Sequence, residues 1–246
     1  MNFTILRFDS IDSTNTEALR QARHGADEGL CVVARQQTAG RGRLGRVWIS
    51  PEGAGLYFSV VLRPKIEMQY LPLITLMSGV AVYDVLAEFG LQPDIKWVND
   101  VLVNDKKICG ILAETTDSDK GLAVVVGMGI NLKSSNFPPE IADTATSLEQ
   151  ELNRNVTFSG LEASLVRFLG YWYEMLSGED GPKEILRAWQ RRSTYFSGKS
   201  VRVTMDSKIL TGITDGLEPN GALRLRLPDQ TITIIQAGDV ERLRAE

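Results

Sequence analysis

Residues 36–64 read QQTAGRGRLGRVWISPEGAGLYFSVVLRP. In the first part Gly40, Gly42 and Gly45 alternate with Arg41, Arg43 and Arg46. Glycine lets a backbone pass close to a ligand and adopt positive φ. Each arginine presents a planar cationic fork that fits a carboxylate or a phosphate with two hydrogen bonds. Such a run also suits a mobile surface loop or a disordered arm clinging to RNA phosphates. This one is short, and it passes at once into Val47, Trp48 and Ile49, then Pro51 and Gly53. A disordered arm stays polar for longer. The run then enters 56–62, a continuous apolar stretch that reads as a buried strand. A loop of cations anchored to a core is expected to hold something anionic.

Outward from that loop, the whole chain sets the limits. At 246 residues it suits one large domain, or a large one with a small partner. The formal net charge is −4, which disfavours a general nucleic-acid binder with its basic excess. The arginines of the loop are thus a local concentration on an acidic background, as a small anionic ligand requires. No apolar run is long enough to span a membrane, and MNFTILRFDS is no signal peptide. Cys31 and Cys109 are the only cysteines and lack metal-ligand spacing, so buried thiols in a reducing cytoplasm are expected. His24 is the only histidine; beside Gly25 it suits a cation at a helix C-terminus better than a catalytic role.

The remaining elements follow in chain order. Residues 3–8 form a first strand, and Thr14 with Glu17 makes a capping-box pattern for a helix stopped by Gly25. Ser13, Thr14 and Asn15 then sit at a helix start, where they either cap their own helix or offer groups to a polar ligand. Residues 30–34 form a short strand, and 72–90, apolar nearly all round, a buried helix. In 95–115 two strands flank the turn-prone pair Asn104-Asp105. Lys107 lies there beside Ile108, Cys109 and Gly110, and a buried ammonium is costly unless an anion meets it. Asn99 and Asp100 either form the preceding turn or hold Mg²⁺ through water. Residues 122–132 make an apolar strand broken by Gly127 and Gly129, the mark of a close approach. Asn131 follows, able to read a base edge. Ser159 with Glu162 caps a helix running to 176, and Pro182 opens another through 189. From 198 the runs 201–205, 209–214, 222–227 and 231–235 are separated by Asp206-Ser207, Pro219-Asn220-Gly221 and Pro228-Asp229, as in a small SH3-like barrel. The expected fold class is α+β, a mixed sheet with flanking helices over 1–196 and a small barrel over 197–246.

With DSTN at 12–15, QTAGRGRLGRVWISPEGAGLY at 37–57, KWVND at 96–100, KKICGILAE at 106–114 and GMGINL at 127–132, the chain closely resembles the bacterial biotin–protein ligases. The matches keep their order from the first strand to the terminal barrel. Val98 stands where that family usually has proline. Some members carry an N-terminal helix-turn-helix that represses transcription; here the catalytic part begins at residue 1, so DNA binding is not implied.

The resemblance implies a fold of the class II synthetase and biotin–lipoate ligase kind. It implies ATP-dependent formation of biotinyl-5′-AMP, then transfer of biotin to a lysine of a carboxyl carrier domain such as that of acetyl-CoA carboxylase. Lys107 and Arg43 would be catalytic, bridging the biotin carboxylate and the α-phosphate. Ser13, Thr14, Asn15, Gln37, Arg41, Gly42, Arg43, Lys107 and Gly110 would bind biotin. Arg43, Arg46, Trp48, Asn99 and Asn131 would bind ATP and the adenylate, with Mg²⁺ on the phosphates and Asn99 its nearest helper. The family forms dimers through exposed sheet edges, though monomers occur. A lipoate–protein ligase shares the adenylate logic, but its loop has consecutive glycines and a His-Asp pair that are missing here. An RNA-binding module and a tRNA-charging enzyme are the other rivals, and this acidic chain offers little surface for either.

Overall fold

Strand alternation sends successive side chains to opposite faces of a sheet, and here both faces are covered. The computed structural model describes residues 1–134, 137–205 and 208–242. The strands and helices run β1 (Thr4–Ile11), α1 (Thr14–Arg23), β2 (Leu30–Gln37), β3 (Gly55–Leu62), α2 (Leu73–Glu88), β4 (Pro93–Lys96), β5 (Asp100–Val103), β6 (Lys106–Thr116) and β7 (Ala123–Asn131). There follow α3 (Pro139–Ala142), α4 (Leu148–Leu152), α5 (Phe158–Leu176) and α6 (Gly181–Gln190), then β8 (Ser197–Met205), β9 (Lys208–Leu217), β10 (Leu223–Arg226), β11 (Ile232–Ile235) and β12 (Asp239–Arg242).

Seven strands form one mixed sheet in the order β1-β2-β3-β7-β6-β5-β4, with β1 and β2 its parallel pair. The last five form an antiparallel sheet, β11-β10-β9-β8-β12. All eight residues of β3 are buried, which is why its sequence is a continuous apolar run rather than an alternating one. Phe58, Val60, Val124 and Val126 face α2 and α5 on one side. Val61, Ala123 and Val125 face Ala18, Leu19 and Ala22 of α1 on the other. Helix α2 packs on the sheet and on α5 and α6, so it has no solvent stripe to keep polar.

Some boundaries differ from expectation. The cap of α1 is Ser13, whose side chain accepts from Thr16 N, one residue before the expected Thr14. Glu17 pairs with Arg20 instead of closing a capping box. Likewise α5 is capped by Thr157, not Ser159, and Glu162 is buried and holds Arg7 in a two-pronged ion pair. In both places Ser/Thr-x-x-Glu occurs inside a helix already capped upstream. Strand β7 is unbroken across its glycines. Strands β4 and β12 and the short helices α3 and α4 were not anticipated; four or five residues are too few to show a period. His24 caps α1 as expected, its Nδ1 lying 2.7 Å from Arg20 O. Asn104 and Asp105 take φ of 52° and 61°, the left-handed pair of a two-residue hairpin turn. The expected Asp206-Ser207 turn lies outside the described residues.

Both cysteines are free and fully buried. Burial, with Glu162 adding to it, pushes the Cys31 thiol up to about 12. Burial drives Cys109 higher still against the opposing pull of Lys107. A raised thiol pKa means neither is a thiolate at pH 8. An aromatic disulfide reagent should therefore leave the native protein unlabelled for minutes and label both thiols after unfolding. Prompt labelling of either in the folded state would contradict this burial.

Candidate active site

The alternation that buries Val61, Ala123 and Val125 under α1 carries further along the same face. Register pairs Ser59 with Gly127, Gly127 with Leu112, and Gly129 with Gly110, and it puts Glu114 opposite Val125. These positions point to the α1 side, where the first turn of that helix ends and a cavity of about 460 Å³ opens. The cavity is lined by Ser13, Thr14, Asn15, Gln37, Arg41, Gly42, Arg43, Arg46, Trp48, Asn99, Lys107, Gly110 and Asn131. The structure thus brings every residue singled out from the sequence to one place. Lys96, Asp100, Tyr195 and Asp239, not assigned to a ligand from sequence apart from Asp100, join them.

One wall is uncharged and fully cross-bonded. Thr14 N donates to Gln37 Oε1 at 2.8 Å, and the Thr14 hydroxyl lies 3.1 Å from the same oxygen. Gln37 Nε2 donates to Ser50 Oγ, which donates to the Trp48 carbonyl. Ser59 Oγ lies 2.8 Å from Thr14 Oγ1 and 2.7 Å from Asn15 Oδ1. Ser13, Thr14 and Asn15 are all buried and line the cavity. Gly127 is required here. A Cβ on it would stand 2.2 Å from Asn15 Oδ1.

The other wall is cationic. Lys107 is pinned by its own backbone: its N–H donates to Thr144 O and its carbonyl accepts from Thr146 N, at 2.8 and 2.9 Å. Its Nζ lies 2.7 Å from Asp100 Oδ1 as an ion pair, and Lys96 Nζ lies 3.0 Å from Asp100 Oδ2. The side chain is about one-third exposed (34%), so Lys107 is half-buried rather than sealed in the core as its neighbours suggested. Burial alone pushes the Asp100 carboxyl up; Lys107, then Lys96, outweigh it and hold the group below the usual carboxylate range. A folded value below the unfolded one adds stability above the unfolded value, about 4, and loses it as pH falls through the folded one. The two lysines therefore stay paired with Asp100 at neutral pH.

The glycine–arginine loop covers the mouth. It closes on itself, Trp48 N donating to Gly40 O and Gly42 N to Arg46 O, and 43–45 form a single 3₁₀ turn. Arg43 Nη1 donates to Asn99 Oδ1 at 3.0 Å and to Gly238 O at 3.3 Å. Arg46 pairs with Asp239 of β12, so the second sheet closes this side. The Trp48 indole lies against Gly110 and Gly129, where added Cβ atoms would meet it at 2.9 and 2.3 Å, and Lys107 Nζ is 5.3 Å from a Trp48 ring centroid. Its Nε1 is buried without a partner in the described structure, a donor that an occupant of the cavity can satisfy. Asn131 Nδ2 donates to Thr146 O and Lys107 O.

Asn99 and Asp100 do not make a metal site. The Asn99 carboxamide accepts from Arg43 and donates to Ile111 O, and Asp100 is already met by two ammonium groups. A divalent cation would sit among like charges. No cluster of three His, Cys, Asp or Glu residues suited to a metal exists among the described residues.

Both sheets of the chain match families of known proteins. The profile described as "Biotin/lipoate A/B protein ligase family" matches residues 7–131, and that described as "Biotin protein ligase C terminal domain" matches 196–243. The chain belongs to the biotin/lipoate A/B protein ligase family. Among its relatives, the bifunctional ligase/repressor BirA of Bacillus spizizenii is 37% identical over 95% of this chain and 72% of its own. The biotin–[acetyl-CoA-carboxylase] ligase of Paracoccus denitrificans is 34% identical over 88% and 92%. The biotin protein ligase of Aquifex aeolicus, solved in complex with biotin and ATP, superposes with a TM-score of 0.84 at 29% identity, covering 98% of this chain and 99% of that one. The ligase fold is thus an α+β catalytic sheet followed by an antiparallel barrel sheet. No helix among the described residues is long and apolar enough to cross a membrane.

Proposed function

We propose that this cavity binds biotin and ATP side by side, joins them as biotinyl-5′-AMP, and presents that adenylate to a lysine of a biotin carboxyl carrier domain. The observation that carries this reading is the division of the cavity into a neutral polar wall and a cationic one. Biotin has the same division, a neutral ureido ring at one end and a carboxylate at the other. Ser13, Thr14, Asn15 and Gln37 would hold the ring, with backbone at Gly42 and Gly110 and the root of the lid at Arg41. Lys107 and Arg43 would hold the carboxylate against the α-phosphate. Arg46, once released from Asp239, would meet the nucleotide phosphates; Trp48, Asn99 and Asn131 would line the base and sugar side.

In the first step a carboxylate oxygen attacks the α-phosphorus, a P–O bond forms, and the α–β bond breaks with pyrophosphate leaving. Two anions must meet, and their repulsion in a dry site is severe without fixed cations. Lys107 is fixed through its backbone and Arg43 through Asn99, so little reorganisation is needed as charge develops. In the second step a neutral carrier amine attacks the acyl carbon, the C–N bond forms, AMP leaves with the electrons of the C–O bond, and the nitrogen releases a proton to solvent as the amide forms. Positioning suffices for this step, because the mixed anhydride is already activated. Magnesium would supply counter-charge to the nucleotide phosphates, with no residue of this chain assigned to it. Residues 1–196 would be the ligase unit and 197–246 the barrel unit, and buried free thiols fit a cytoplasmic home.

The deciding assay is pyrophosphate release with biotin and ATP, followed by mass increase of an apo carrier domain. Release with lipoate but not biotin would overturn the biotin reading. A companion prediction concerns the neutral wall. Gly127→Ala pushes a methyl group into Asn15 and should raise the KM for biotin about tenfold or more, as loss of a buried hydrogen bond does. An unchanged KM would show that Asn15 is not held against that strand.

A further inference from the structure

Resting on that reading of the cavity, we propose that Glu114 is a positioning residue that registers the glycine–arginine lid on the biotin pocket. Glu114 is the last residue of the KKICGILAE run and reaches the α1 face of the sheet two positions beyond Leu112. Its carboxylate takes two partners from different parts of the site. Arg41, at the root of the lid, donates from Nη1 to Oε1 at 3.0 Å and from Nη2 to Oε2 at 2.6 Å. Asn15, on the pocket wall, donates from Nδ2 to Oε2 at 2.9 Å.

The second contact determines which way the Asn15 amide points. Its two N–H groups go to Glu114 and to Leu112 O, so its oxygen is left facing Ser59 and the cavity. An ionised carboxylate accepts only and cannot serve a reversed amide. From Asn15 the bonds continue through Ser59, Thr14, Gln37 and Ser50 to the carbonyl of Trp48. Both ends of the lid, Arg41 and Trp48, are therefore tied to one polar chain that also forms the ring-binding wall. The Arg41–Glu114 pair is partly exposed, its side chains 40% and 26% accessible. Pairs of that kind add little to stability, so the contact serves geometry rather than folding. Glu114 touches no substrate and acts through Arg41 and Asn15.

Glu114→Gln keeps the size of the side chain but cannot accept from both partners on both atoms. It is expected to raise the KM for biotin about tenfold while changing kcat for pyrophosphate release less than about threefold, the size of one lost charged hydrogen bond. Escape of preformed biotinyl-adenylate into a chase should quicken by about fivefold or more, with the melting temperature nearly unchanged. Arg41→Gln should quicken escape similarly, and the double variant should be no worse than about twice the worse single one, because the pair acts as a unit. A readout without substrate is tryptic cleavage after Arg43 and Arg46 in the ligand-free protein, expected about threefold faster in Glu114→Gln. Unchanged KM, escape and cleavage would overturn the proposal, as would equal losses accompanied by a large fall in melting temperature. Should the wild-type chain release no pyrophosphate, the catalytic reading fails, and the cleavage rate alone then judges the latch. Should Glu114→Gln not fold, Arg41→Gln with wild-type escape and cleavage overturns it.

Discussion

Lys107→Ala is expected to lower the rate of pyrophosphate release with biotin and ATP by about 10²-fold or more, the loss that follows removal of one preorganised charge from a transition state. The backbone of Lys107 is bonded to Thr144 and Thr146 whatever its side chain, so the strand and the segment across from it stay in place. The carboxylate left behind keeps Lys96 at 3.0 Å, so Asp100 is not abandoned as a lone buried charge. The variant should therefore fold, and its far-ultraviolet spectrum should match wild type. Preformed biotinyl-adenylate separates the two half-reactions, since the two anions have already been joined. Transfer from supplied adenylate to the carrier domain should fall far less than synthesis does. A near wild-type synthesis rate in a folded Lys107→Ala protein would make Lys107 a bystander. Equal losses in both halves would shift its role from joining the anions to holding the product.

What the chain disclosed before its structure was known, and what it withheld, divide along a physical line. Strands β2, β3 and β7 and helix α2 were legible because burial on both sides leaves a largely apolar record, as in β3, whose eight residues are all buried. The glycines of β7 were legible as points of close approach, and Asn15 and Trp48 are the side chains that approach them. Their effect on the strand was misjudged, because a glycine that makes room need not interrupt a ladder. The capping boxes at Thr14 and Ser159 misled because the motif is local, and which Ser or Thr caps depends on where the strand or loop delivers the chain. Asp100 was read as a turn former or metal helper. Its true surroundings, two lysines from β4 and β6, exist only after pairing across β5. Glu114 and Asp239 went unassigned for the same reason, since each meets its arginine across 73 and 193 residues of chain. The family resemblance supplied names for ligands that no periodicity could have given.

Arg43→Ala should both slow adenylate synthesis, by about 10- to 10²-fold, and let the finished adenylate escape before transfer. Two effects are expected because Arg43 makes two kinds of contact. Its guanidinium reaches Asn99 at the foot of the cationic wall, beside the site proposed for the α-phosphate, and it also donates to the Gly238 carbonyl in the second sheet. The first contact aims a charge at the reacting centre; the second fastens the lid across the cavity mouth. Loss of the charge raises the barrier, and loss of the fastening opens a path for product and for water. The two are separable by a chase experiment, in which labelled biotin is turned over once and unlabelled biotin is then added in excess. A variant that is slow but retains its label would confine Arg43 to the chemistry. One that synthesises normally yet leaks would confine it to the lid. Arg43→Lys discriminates further, because an ammonium restores a point charge on a shorter stem that does not reach both Asn99 and Gly238, which Nη1 meets together in the wild type. It should recover part of the synthesis rate while continuing to leak, whereas full recovery of both would mean that charge alone, and no bridging geometry, is what position 43 contributes.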